Sequence, residues 1–230
     1  MKKRFAAFVS TVLAAVLCAC SAAPKDVLPN KAAQPTEAPT QQAQTTQAAP
    51  TEQPTPEPDP VQQLLEEMTM EQKVGQLFLV RPDSLDLSQT QDQINDAKAD
   101  GVTELTDAMR QTLAEYPVGG VVIFGKNLES PQQITQFLDD LQQASDTPLF
   151  TAIDEEGGLV ARLANNAAFD LPQYESAAAV GTSGNPEDAR AMGRTIGGYL
   201  KKYGFNLDFA PVADVNTNPD NPVIGTRAFT

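Results

Sequence analysis

Three consecutive carboxylates, two glycines and a nearby arginine are the residues of this chain best suited to chemistry: Asp154, Glu155, Glu156, Gly157, Gly158 and, eight residues after the first acid, Arg162. Carboxylates offer acceptors or acid–base groups and a guanidinium offers fixed donors, so such a cluster can hold or act on a polar ligand. It follows an apolar run, Leu149, Phe150, Ala152 and Ile153, the pattern of a strand buried on both faces of a parallel sheet. Asp154 is therefore expected at a strand's carboxyl end, where parallel α/β folds place their ligands. Gly157 and Gly158 allow backbone angles and approaches that a Cβ forbids, so the chain can turn there beside a ligand. Acids and glycines after a strand also describe an ordinary solvated turn.

The elements that must position this cluster alternate between helix and strand. Leu64, Leu65 and Met68 recur at helical spacing from Val61, and Thr69 to Gln72 matches a capping box for a second short helix. Leu77 to Val80 is the first expected strand. The polar stretch 82–102 shows no clear period and is expected to be a loop at the mouth of the sheet. Leu105, Met109 and Leu113 mark a helix that stops at Pro117. Gly119 to Phe124 is the second strand. Ser130 caps a helix with Pro131 at its first position and Ile134, Phe137, Leu138 and Leu141 on one face. Beyond the strand that leads to Asp154, Asn185 and Pro186 start a helix of the same design. It carries Ala189, Met192, Ile196 and Leu200 inward and is closed by Gly204. Phe205 to Val215 is the fourth strand.

This alternation argues for parallel βαβ units with right-handed crossovers. A doubly wound nucleotide-binding sheet wants a glycine-rich phosphate turn, and neither GxGxxG nor GxxxxGKS/T occurs. The expected fold class is α/β, a (β/α)8 TIM-type barrel. A complete barrel takes about 250 residues and eight strands, so residues 61–230 are expected to be its N-terminal portion, stopping after about four strands.

Residues 1–60 read differently. Lys2, Lys3 and Arg4 precede an apolar run from Phe5 to Leu17, too short to span a bilayer and charged like the start of a secretory signal. The run ends in Leu17-Cys18-Ala19-Cys20-Ser21, which resembles a bacterial lipobox, where a small residue precedes the cysteine that is lipidated. Ala19 before Cys20 fits; Leu17 before Cys18 does not. Residues 1–20 are expected to be a lipoprotein signal peptide with Cys20 as the lipidation site. The protein would then be exported and anchored to the extracytoplasmic face of a bacterial membrane. An ordinary signal peptide with incidental cysteines is the alternative. With Cys18 removed and Cys20 modified, no thiol remains for a disulfide or a cysteine metal site. Residues 21–60 hold nine of the 18 prolines and neither glycine nor aromatic residue, as expected of a disordered tether. The formal net charge of −14 leaves no basic patch for nucleic acid and otherwise marks a solvated surface.

Four separated motifs carry a resemblance: GGVVIFGKN at 119–127, the segment from Asp154 to Arg162, FAPVADVNTNP at 209–219 and NPVIGTRAF at 221–229. In this order they resemble the N-terminal domain of glycoside hydrolase family 3. Within that family they are most similar to the β-N-acetylhexosaminidases that trim N-acetylglucosamine from cell-wall fragments. The resemblance covers essentially all of 61–230 and implies a barrel independently of the strand count. It also implies three side chains around the terminal sugar, carried here by Asp154, Arg162 and Arg227. The chemistry agrees, because a carboxylate accepts paired hydrogen bonds from vicinal hydroxyls and a guanidinium donates to sugar oxygens. Taken singly, Arg162 or Arg227 also reads as a surface arginine or a partner of Asp214. Leu159 departs from the arginine common at that position, which weakens any claim for a further contact there.

Glu155 and Glu156 do not read as an acid and base pair. Neighbours in an extended segment point to opposite sides, whereas retaining hydrolysis needs two groups flanking one glycosidic bond, about 5–5.5 Å apart. The resemblance implies instead an aspartate nucleophile and a histidine acid/base, both expected beyond Thr230; the 230 residues contain no histidine. The expected activity is hydrolysis of terminal N-acetylglucosamine with retention, through a glycosyl-enzyme intermediate, with these residues alone inactive. A carbohydrate partner is implied, and no metal or organic cofactor. The alternatives are a family relative acting on β-glucosides or xylosides, and a surface lipoprotein that only binds sugar or wall fragments.

Overall fold

Four apolar segments pair side by side in a computed structural model that describes residues 59–230. The expected signal peptide, Cys20 and all but the last two residues of the expected tether lie outside the described residues. The segments are β1 (Leu79–Val80), β2 (Gly120–Ile123), β3 (Phe150–Ile153) and, after a two-stranded hairpin formed by β4 (Glu155–Gly157) and β5 (Val160–Ala161), β6 (Leu207–Asp208). The sheet order is β1-β2-β3-β6 and every pair is parallel. A doubly wound sheet reverses direction at a switch point. This one adds each strand on the same side as the last, which is the winding of a (β/α)8 barrel. Val121, Ile123, Ala152 and Ile153 have no exposed surface, so the centre of the sheet, in β2 and β3, is buried as these apolar runs require.

The helices begin where their caps dictate. Asp59 caps α1 (Pro60–Glu67), so the stretch expected to be tether already contributes the cap and first residue of a helix. Thr69 and Gln72 close the expected capping box on α2 (Met70–Gly75), and Thr106 caps α4 (Asp107–Glu115). Ser130 caps α5 (Pro131–Gln143), which buries Ile134, Phe137, Leu138 and Leu141 as its spacing requires. Asn185 caps α7 (Pro186–Lys202), whose Met192, Ile196, Tyr199 and Leu200 join the same core, with Ala189 half-buried.

Several expectations change. The stretch 82–102 is not plain loop: it holds a 3-10 turn at Pro82–Leu85 and α3 (Gln91–Asn95), capped by a second box, Thr90 with Gln93. A further short helix, α6 (Ala177–Thr182), precedes α7. The first strand lacks Leu77 and Phe78 because their amides close the end of α2, donating to Val74 O and Gly75 O. The fourth strand is far shorter than Phe205–Val215. Its last ladder bond is Phe209 N to Ile153 O at 2.9 Å; beyond it β3 turns away at Asp154 and Pro211 has no donor. Asn206 sets β6 against β3, accepting from Thr151 N at 2.8 Å and donating from Nδ2 to Leu149 O at 2.9 Å.

Candidate functional site

Asp154 stands between β3 and the hairpin, at the carboxyl end of the sheet, as expected. In this extended segment Glu155 leaves the backbone on the side opposite to Asp154 and Glu156. Glu155 turns inward and is fully buried. Its carboxylate accepts from Leu163 N at 2.8 Å, Ala164 N at 2.9 Å and the Tyr199 hydroxyl at 2.8 Å, which closes the hairpin and ties it to α7. Burial, then the bond to Glu155, pushes the Tyr199 phenol far above its ordinary range. Glu156 turns to Arg227, 71 residues away, which grips it with Nε at 2.8 Å and Nη2 at 2.6 Å. Asp154 Oδ2 accepts from Arg162 Nη2 at 3.0 Å.

Neither arginine pairs with Asp214. Arg227 is held above its ordinary value by its bond to Glu156, with the charges of Asp154 and Asp214 adding to the effect. Asp154, Glu156 and Arg227 therefore share one electrostatic neighbourhood, entered from β3, β4 and the 3-10 turn Gly225–Arg227, which packs on α6. All three residues expected to hold sugar, Asp154, Arg162 and Arg227, carry an acid–arginine contact at this end of the sheet.

The glycines take the backbone angles and close approaches expected of them. Gly157 and Gly158 take φ of +81° and +74°, which favours glycine. A Cβ on Gly158 would lie 2.9 Å from Glu175 O and Ser176 Cα, so this glycine lets two backbone segments pack closely. Leu159, at the tip of the hairpin, is exposed.

Two groups escaped the sequence reading. Asp208 ends β6 as Asp154 follows β3, and its Oδ1 accepts from Glu155 N at 3.0 Å. Burial, reinforced by the charges of Glu155, Asp154 and Glu156, raises its carboxyl to about 6 against the opposing backbone bond. Its place at the end of an apolar strand was the available signal. The second is a buried cluster under the mouth. Asp83, with no exposed surface, accepts from Val102 N at 3.1 Å, Asn127 Nδ2 at 3.0 Å and Lys126 Nζ at 3.2 Å. It locks the turns after β1 and β2 together and so fixes Phe124, against which Arg162 lies with Cζ 5.6 Å from the ring centre. Among the described residues no group of His, Cys, Asp or Glu could hold a metal ion, and no helix is long and apolar enough to cross a membrane.

A parallel sheet wound in one direction, with acids and arginines at its carboxyl end, defines a scaffold of the α/β-barrel class. The chain belongs to glycosyl hydrolase family 3, whose N terminal domain matches residues 69–230. Beta-hexosaminidase A of Pseudoalteromonas piscicida is 36% identical over 133 residues, which are 56% of this chain and 22% of that protein. A glycoside hydrolase family 3 beta-N-acetylglucosaminidase from Paenibacillus sp. str. FPU-7 matches with a TM-score of 0.57 and 34% identity, over 70% of this chain and 27% of that one. NagZ from Neisseria gonorrhoeae, solved in complex with N-trifluoroacetyl-D-glucosamine, matches with a TM-score of 0.50 and 25% identity, over 56% of this chain and 38% of that one. Such relatives are (β/α)8 barrels, and the sheet described above is four strands of that winding. The chain spans well under half the length of each of these relatives.

Proposed function

We propose that this chain forms the sugar-holding part of a retaining β-N-acetylhexosaminidase acting on terminal N-acetylglucosamine of cell-wall or related glycans. The observation that carries the reading is the Asp154–Arg162 pair at the carboxyl end of β3, in the motif that gave the resemblance. Asp154 accepts from vicinal hydroxyls, Arg162 holds the carboxylate and donates to ring substituents, and Arg227 completes the site from Glu156. Neither Glu155 nor Glu156 supplies the nucleophile. Glu155 is used up inside the fold and Glu156 is clamped by Arg227, so neither is free to reach an anomeric carbon. A histidine acid/base is not contributed by these 230 residues, which contain none. The names of the relatives, and the glucosamine derivative bound to one of them, favour the N-acetylglucosamine branch over β-glucosides or xylosides.

The test is equilibrium binding of N-acetylglucosamine, glucose and xylose to the chain and to Asp154→Asn. N-acetylglucosamine should bind best, and the variant should bind it about 10- to 100-fold more weakly, the scale of a hydrogen bond to a charged group. Unchanged affinity in Asp154→Asn would remove Asp154 from the site. We further propose that the protein is exported and anchored through lipid on Cys20, on the strength of Lys2, Lys3 and Arg4, the apolar run and Ala19. Two acyl chains suffice for stable anchoring where one does not. A fatty-acid analogue fed to cells should label the wild type and not Cys20→Ala; equal labelling of both would refute the anchor.

A further inference from the structure

Asp154 and Arg162 meet across a hairpin that is too small to hold its own shape. β4 has three residues and β5 two, their pairing is irregular between Glu155 and Gly157, and an isolated two-stranded hairpin is marginal in water. The hairpin is closed by one carboxylate beneath the pair. Glu155, the residue after Asp154, accepts from the two amides that follow Arg162, Leu163 N on Oε2 at 2.8 Å and Ala164 N on Oε1 at 2.9 Å. The spacing of the Asp154–Arg162 contact is thus fixed one residue below it.

This clasp is anchored outside the hairpin. Glu155 is fully buried, and among the described residues no lysine or arginine lies within 4.0 Å of it, so hydrogen bonds alone satisfy its carboxylate. The third of them comes from the Tyr199 hydroxyl on α7, 2.8 Å from Oε1 and 44 positions along the chain. Burial holds this phenol above its ordinary range, so it remains a donor. Elsewhere α7 meets the hairpin through apolar groups, the ends of Met192 and Ile196 under Gly157. Apolar contacts are non-directional and set no register, whereas a hydrogen bond is directional. Among the described residues the Tyr199 bond is the only hydrogen bond between α7 and the hairpin.

We propose that Tyr199 is a positioning residue for sugar holding: through Glu155 it sets the place of Arg162 against Asp154, while itself buried away from the sugar. The inference deepens the sugar-holding reading and rests on it.

NMR titration of the full chain with N-acetylglucosamine tests it, on the wild type, Tyr199→Phe, Arg162→Lys, Arg227→Lys and the two double variants, each shown by urea unfolding to be folded under the titration conditions. Tyr199→Phe keeps the ring and removes the hydroxyl; it should weaken binding about three- to tenfold, the scale of coupling within one network. In the Arg162→Lys background, which already lacks the guanidinium that Tyr199 positions, the same substitution should change affinity little. In Arg227→Lys it should keep its full effect. Glu155→Gln, which retains one acceptor oxygen and loses the other, should show the same dependence on Arg162 and serves as the second variant if Tyr199→Phe does not fold. Equal losses in both arginine backgrounds are the mark of general loosening and overturn the proposal. A second readout needs no sugar: the Nε–H signal of Arg162 should move in Tyr199→Phe, and an unmoved signal overturns the positioning. If the wild type does not bind N-acetylglucosamine, the sugar-holding reading falls and takes this role with it. If the wild type binds and Tyr199→Phe binds equally well, only the positioning role falls.

Discussion

At the scale of single residues, chemical type did not fix role. Asp154, Glu155 and Glu156 differ little in chemistry, yet one pairs with Arg162 at the mouth, one is buried as a hairpin clasp, and one is gripped by an arginine 71 positions on. Asp208 shows what that crowding does to a carboxyl group. Its folded-state value near 6 lies above its ordinary 3.8, so the folded chain binds the proton more tightly than the unfolded one. The contribution of Asp208 to stability is then full below about pH 4 and is lost as pH rises through about 6. Asp208→Asn removes the titration and keeps an Oδ1 to accept from Glu155 N. Urea unfolding at several pH values from 4 to 7 should show the wild type losing stability relative to the variant as pH rises. A gap that moves the other way would mean that Asp208 is not raised.

Among the elements, the short pieces between the strands matter more for the site than the long helices. α5 and α7 were plain from caps and periodicity, and they form the core. The mouth is built by α3, the hairpin, α6 and the 3-10 turns, none long enough to show a period. Their order comes from buried polar contacts instead, chiefly those of Asn127. Its Nδ2 donates to Asp83 Oδ2 and to Val102 O, and its Oδ1 accepts from Phe124 N at 3.1 Å. Asn127→Ala strands these partners in the interior and should lower unfolding stability by about 3 kcal/mol, as read from denaturant titration. A change within about 0.5 kcal/mol, the range of ordinary surface substitutions, would show that the cluster does not hold the mouth.

For the molecule as a whole, the balance lies between a well-packed interior and an incompletely covered sheet. β1 and β6 each have one partner among the described residues, which leaves two strand edges. Phe150 begins a central strand yet is 50% exposed, so that end of the sheet is uncovered. Leu77, Phe78 and Phe209 are also exposed, next to the edge strands. The chain should therefore self-associate with rising concentration, and sedimentation velocity at micromolar to tens of micromolar protein should show it. A monomer across that range that also melts cooperatively would mean that the edges are better protected than their exposure indicates.

What the sequence determined by itself was whatever depends on near neighbours in the chain. Caps at Thr69, Ser130 and Asn185, the apolar face of α5, the β-branched runs of β2 and β3, the parallel α/β class and the place of Asp154 at a strand end were all legible, because each follows from spacing over a few residues. The family motifs also picked out Arg162 and Arg227. Only the tertiary structure decided which acid each arginine meets, that Glu155 is structural, that Gly158 packs against the backbone of Glu175 and Ser176, and that Asp208 belongs to the mouth. Those facts depend on segments between 8 and 71 residues apart being brought within 3 Å. Such contacts leave no local pattern, since a carboxylate looks the same in sequence whether its partner is water, a backbone amide or a distant guanidinium.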